Sequence, residues 1–96
     1  MYGLIVTMKV REAQRAGFEH LVSALALAVK ASEPGNLVYH VCRSRADPET
    51  YRIVEIYASK DAFKTHLAKD YVQQANPEVL KTLTGNPEVE VLEIVA

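Results

Sequence analysis

Four residues of this chain could share one task in proton chemistry: Tyr51, Glu55, Tyr57 and His66. Tyr51, Ile53, Glu55 and Tyr57 have the same parity in the run Thr50 to Tyr57, so a strand there would carry them on one face, with Arg52, Val54 and Ile56 on the other. A carboxylate between two phenols needs partners if it is covered, because an unpaired buried charge costs several kcal/mol or shifts its pKa. Two arrangements fit Glu55. It pairs with an arginine or lysine at the sheet surface or a subunit boundary, or it lines a pocket with Tyr51 and Tyr57. His66 follows on a short helical segment, three residues from Phe63 and on nearly the same side. There it is either a packed histidine with one hydrogen bond or the wall of a pocket, and imidazole is the side chain best suited to moving a proton near neutral pH. Tyr71 is expected near the rim of the same pocket. His20 lies off the apolar stripe of its helix and reads as solvated. His40 shares a strand parity with Val38 and Cys42, as a core or interface histidine.

Other chemistries lack their residues. The four glycines are scattered as turn residues, with no phosphate-binding loop. Three histidines and one cysteine show no metal-ligand spacing, and no Ser-His-Asp grouping is suggested. Eleven basic and twelve acidic residues are spread along the chain, giving a net charge of −1 and no basic stripe for nucleic acid. Cys42, the single cysteine, reads as a small buried hydrophobe. The apolar start Met1 to Val6 has no basic leader, and Lys9 and Arg11 interrupt it short of a membrane span. A cytoplasmic protein without membrane partners is the expectation.

The elements that must hold these residues follow from periodicity. Residues 2–10 alternate as a strand, with Tyr2, Leu4, Val6, Met8 and Val10 on one face. Ala13 to Ser32 reads as a helix, because Phe18, Leu21, Val22, Leu25 and Val29 form one stripe. Glu33-Pro34-Gly35 ends it, Gly35 suiting a left-handed turn. Residues 36–43 and 50–57 read as strands joined by the polar turn Ser44 to Glu49, and should pair antiparallel. Ser59 can cap a second helix. Asn76-Pro77 should break or bend the helical region. Residues 88–95 form a last strand whose apolar parity shifts between Val91 and Leu92, as though covered on both sides, by this chain's helices and by a second subunit. With 96 residues there is room for one domain, 1–96, whose limited burial a partner subunit would improve. Strand, helix, two strands, helical region and strand make a βαββαβ α+β domain of ferredoxin-like type, with an antiparallel sheet and helices on one face.

The run Glu33-Pro34-Gly35-Asn36-Leu37-Val38-Tyr39, then Tyr51 to Tyr57, then His66-Leu67, resembles the antibiotic-biosynthesis monooxygenase family over nearly the whole chain. The resemblance implies a homodimer in which two sheets close face to face into an α/β barrel. It also implies a cofactor-independent monooxygenase that oxidises a quinol or polyphenol-type small molecule, with His66 at the cavity as candidate general base or hydrogen-bond partner. Tyr51, Tyr57 and Tyr71 are residue types compatible with binding such a substrate, and Glu55 joins them as a substrate-binding candidate through the strand face it shares with Tyr51 and Tyr57. Haem-degrading relatives use an asparagine, a tryptophan and a histidine at places that fall on Val6, His66 and Asn76. All three differ here, so haem degradation is not expected. Many other members have tryptophan at Tyr57 and a second histidine near Tyr71. Two further functions fit the same residues. One is an isomerase or lyase on a small oxygenated metabolite, with His66 and Glu55 as proton shuttles and Arg43, Arg45 or Arg52 meeting an anionic substrate. The other is a non-catalytic dimeric ligand-binding module. A real cavity separates enzyme from module, and apolar or cationic walls separate oxygenase from isomerase.

Overall fold

The computed structural model describes residues 1–96. Four strands and three helices follow the expected order: β1 (Tyr2–Lys9), α1 (Arg15–Ser32), β2 (Asn36–Arg43), β3 (Thr50–Tyr57), α2 (Lys60–Ala68), α3 (Asp70–Lys81) and β4 (Glu88–Leu92). A single 3-10 turn, Glu12–Gln14, leads into α1. The strands form one antiparallel sheet in the order β2-β3-β1-β4, a ferredoxin-like α+β fold. The fourth strand is shorter than its alternating sequence suggests, and stops at Leu92.

Register puts one parity of each strand under the helices. Leu4 pairs with Glu55, Val6 with Ile53 and Met8 with Tyr51, and Tyr39 of β2 joins the same face opposite Glu55. On α1, Phe18, Val22, Leu25 and Val29 are the buried residues, at the spacing that keeps one face of a helix on the sheet. Full burial of side chains such as these contributes about 1.5–3 kcal/mol each. The stripe legible in the sequence is thus the contact surface that roofs the sheet.

Three local features differ from expectation, each for a physical reason. Gly35 does not take a positive φ; Gly85, at φ 81°, is the residue that does. Glycine is needed at 35 because a Cβ there would stand 2.8 Å from the Cβ of Ala62, where α2 packs on the turn between α1 and β2. The helical region is divided at Lys69, whose ψ of 137° is extended, and α3 then runs through Pro77 to Lys81. The expected break at Asn76-Pro77 is absent. Cys42, expected inside, is exposed because its parity places it on the sheet face away from the helices. His40 is exposed on that same face, and His20 is exposed on α1.

Side-chain hydrogen bonds fix one helix start and one turn. Ser59 Oγ accepts from the Ala62 amide at 3.1 Å and starts α2. In the β2–β3 turn, Asp47 accepts from Lys9 Nζ at 2.7 Å and from Thr50 Oγ1 at 2.8 Å, tying the turn to β1. No helix is long and apolar enough to cross a membrane.

Candidate functional site

Between the inner sheet face and α2–α3 lies a cavity of about 310 Å³. β1 supplies Leu4, Val6 and Met8 as its floor, and Val72 and Val79 of α3 close the opposite side. Of its 18 lining residues 14 are hydrophobic, and none is lysine or arginine. Leu67, Leu80 and Val89 also line it and are substantially exposed, so the mouth opens beside β4 and is itself apolar. The ionisable side chains at the wall are Tyr39, Glu55 and His66.

These three belong to a buried polar cluster set into an aromatic surround. His66, Glu55 and Glu33 are 4%, 5% and 8% exposed. His66 projects inward from α2, with the rings of Tyr57, Tyr39 and Phe63 at 5.4, 5.9 and 6.2 Å between centroids. Its Nδ1 lies 3.0 Å from both carboxylate oxygens of Glu33. Its Nε2 lies 4.0 Å from Oε1 of Glu55, too far for a hydrogen bond. Tyr57 donates to that same Glu55 oxygen at 2.6 Å, and Tyr71 donates to Oε2 of Glu33. Ser32 Oγ in turn lies 3.3 Å from the Tyr71 hydroxyl.

Burial decides which of these groups hold protons. It pushes the phenols of Tyr39 and Tyr57 above their ordinary value, and the negative charge of Glu55 adds to the rise in both. Burial also raises Tyr71, reinforced by its bond to Glu33. The three phenols are therefore donors at neutral pH, not bases. Glu55 is raised as well, first by burial; the Tyr57 bond and nearby His66 oppose that rise, while Glu33 adds to it.

The separation of His66 Nε2 and Glu55 Oε1 suits one shared hydrogen-bonding partner. An oxygen about 2.8 Å from each of two atoms closes a triangle on a base such as that between His66 Nε2 and Glu55 Oε1. A hydroxyl entering from the apolar side can thus touch the imidazole and the carboxyl together.

The expected residues do not all converge. Glu55 and His66 line the cavity, and Tyr57 stands behind them as Glu55's donor. Tyr71 reaches the cluster from the far side, through Glu33. Tyr51 is buried at the other end of β3, its ring tilted by 55° against that of Phe18 at 4.6 Å between centroids, and it donates to Glu19, whose carboxylate is also near Arg43. It stands apart from His66. Glu33 and Tyr39 also belong to the cluster, and neither carries a site signature in the sequence. Glu33 occurs in a helix-stop motif and Tyr39 in an ordinary strand pattern; only the parity shared by Tyr39 and Glu55 across β2–β3 offered a signal.

An antiparallel α+β sheet roofed by helices, with an apolar cavity between them and a histidine and a carboxyl at one wall, defines a small-molecule-binding class. The chain belongs to the antibiotic biosynthesis monooxygenase family, whose model matches residues 1–78. It is similar to a protein from Caulobacter crescentus CB15 classed with the antibiotic biosynthesis monooxygenases, at 41% identity and a TM-score of 0.95, over 99% of this chain and 90% of that one. A Deinococcus radiodurans protein of the same class shares 25% identity at a TM-score of 0.90, covering 100% and 94%. One from Nitrosomonas europaea, at 18% identity, a TM-score of 0.91 and full coverage of both chains, shows the shared fold. No curated protein matches the chain. Family and relatives together support a monooxygenase-like function.

Proposed function

We propose that the protein is a cofactor-independent monooxygenase that oxidises a quinol or polyphenol-type small molecule with molecular oxygen. The observation that carries this reading is the placement of His66 Nε2 beside Glu55 at the wall of an apolar cavity. A phenolic hydroxyl seated there gives its proton to His66, the general base. The resulting electron-rich ring reduces oxygen itself, so the substrate is the electron source. Carbon–oxygen bond formation gives a peroxide on the ring, and the proton held by His66 returns to its outer oxygen. Cleavage of the O–O bond leaves one oxygen on carbon as a carbonyl. The other departs as water, carrying the hydroxyl hydrogen and the ring hydrogen. Apolar walls favour a neutral aromatic ring and exclude water from the anion.

The same walls weigh against an anionic substrate, since Arg43, Arg45 and Arg52 do not line the cavity. An open-mouthed cavity reached by Glu55 and His66 likewise favours an enzyme over a closed binding module. The protein is further read as a homodimer. In support, the helices cover one sheet face, while Ile5, Val54 and Ile56 on the other stay half-exposed. The test of activity is oxygen consumption by metal-stripped protein with a reduced naphthoquinone, against autoxidation at the same pH. Turnover above the control is expected. Rates equal to the control across a panel of quinols and naphthols overturn the reading, and activity restored only by added iron or flavin rejects the cofactor-free route.

A further inference from the structure

We propose that Glu33 is the positioning residue of this site: its carboxylate holds the imidazole of His66 with the proton on Nδ1, so that Nε2 faces the cavity with its lone pair free. This inference rests on the reading of His66 as the proton acceptor.

Glu33 is not a wall of the cavity. It stands behind the ring, where no substrate need touch it, and its backbone is pinned on both sides. Its amide donates to the Val29 carbonyl at 3.0 Å, and its carbonyl accepts from the Asn36 amide at 3.0 Å. Pro34 follows at once and fixes the chain direction. The side chain therefore leaves a rigid corner between α1 and β2. Its two oxygens serve two other helices, His66 of α2 and Tyr71 of α3. The close approach of Gly35 to Ala62 brings α2 to this corner.

The proton assignment follows from the partners of each ring nitrogen. A carboxylate at 3.0 Å from Nδ1 is an acceptor and requires a donor there. On the other side Nε2 has only Glu55 Oε1, at 4.0 Å, which already accepts from Tyr57. The remaining groups facing the ring are the phenols of Tyr39 and Tyr57 and the ring of Phe63, none of which competes for Nδ1. Without Glu33 the neutral ring is free to carry its proton on Nε2 and aim it at Glu55. In that tautomer the nitrogen facing the cavity cannot accept a proton. A buried carboxylate that fixes the tautomer of a basic histidine is the same physical device as in hydrolase triads, here placed on an unrelated fold.

The test reads the tautomer directly, without substrate. In protein labelled with 15N-histidine, at a pH where the ring is neutral, the resonances lost in His66→Gln identify His66. The expected pattern is Nδ1–H in the wild type and a shift toward Nε2–H in Glu33→Met, which keeps the length of the side chain but accepts no strong hydrogen bond. With an active quinol, Glu33→Met should also lower kcat by about 10²-fold with KM within about twofold. A wild-type ring protonated on Nε2 overturns the proposal, and that measurement needs no variant to fold. An unchanged tautomer in folded Glu33→Met overturns it as well. A wild type that oxidises no quinol yet shows Nδ1–H upholds the role of Glu33 and counts against quinol oxidation alone.

Discussion

Tyr57 donates its phenolic proton to Oε1 of Glu55 at 2.6 Å, although the two residues are alternate neighbours on one strand face. Such neighbours are about 6.6 Å apart along the backbone, so the ring must lie back along β3 to reach the carboxyl. Tyr57 is fully buried in that pose. The bond gives Glu55 a partner inside the protein that no lysine or arginine supplies.

Tyr57→Phe keeps the ring and removes that partner. A buried carboxyl left short of a hydrogen bond costs about 1–3 kcal/mol, which urea unfolding at neutral pH should register. The Tyr57 bond holds the Glu55 pKa down, so its loss should raise it further.

Glu55 should also shape the pH dependence of stability. Its folded pKa is raised above the ordinary 4.5, chiefly by burial, so the folded state binds this proton more tightly than the unfolded state. That contribution is fully present below 4.5 and is lost as pH rises through the folded pKa. Glu55→Gln stays neutral throughout and should gain stability relative to wild type as pH rises from about 4 to 8. Parallel unfolding curves for the two proteins would contradict this account.

Replacing His66 by alanine should lower turnover by about 10²-fold or more if it is the general base. The helical circular dichroism should persist, since the change falls on one side chain of α2. Activity that survives intact reduces His66 to a wall residue.

The pattern of the sequence carried most of the architecture, because strand parity and the helix stripe record which face each element buries. Phe18, Val22, Leu25 and Val29 are legible in that way. The outer sheet face was not, since Cys42 and His40 alternate like core residues on a strand whose covered parity is set by its neighbours. His66 and Glu55 stood out as polar residues at apolar positions. Glu33 did not: it ends a helix beside proline and glycine, where a charged residue is read as backbone punctuation. Its partners are brought to it only by tertiary folding. Tyr51 shares the parity of Glu55 but stands too far along β3, and parity fixes a face without fixing a position on it.

Gly35→Ala should show how closely that corner is packed. The added methyl would meet Ala62 Cβ at 2.8 Å, an atom fixed to the α2 backbone, so the helix must shift. Overpacking of this kind costs about 1–3 kcal/mol. Ala62→Gly in the same chain should restore most of the loss, and a double variant no more stable than Gly35→Ala would exclude that contact as the cause.

The homodimer reading can be probed at Leu92, which pairs with Gly3 and shares the sheet face away from the helices. Leu92→Asp would place a charge in the interface, and light scattering at micromolar concentration should then show a shift toward monomer. A wild type that is already monomeric rejects the assembly.

The fourth strand has one remaining lesson. Within a single subunit all five of its residues are exposed, and its only ladder is with β1, at the edge of the sheet. Local opening free energies follow such differences in burial, so its amides should exchange with solvent deuterium well before those of β1 and β3. Val89 belongs both to this strand and to the cavity wall. The chamber is therefore built from parts of unequal lifetime, a durable polar end around His66 and a wall beside β4 that breathes on a faster clock.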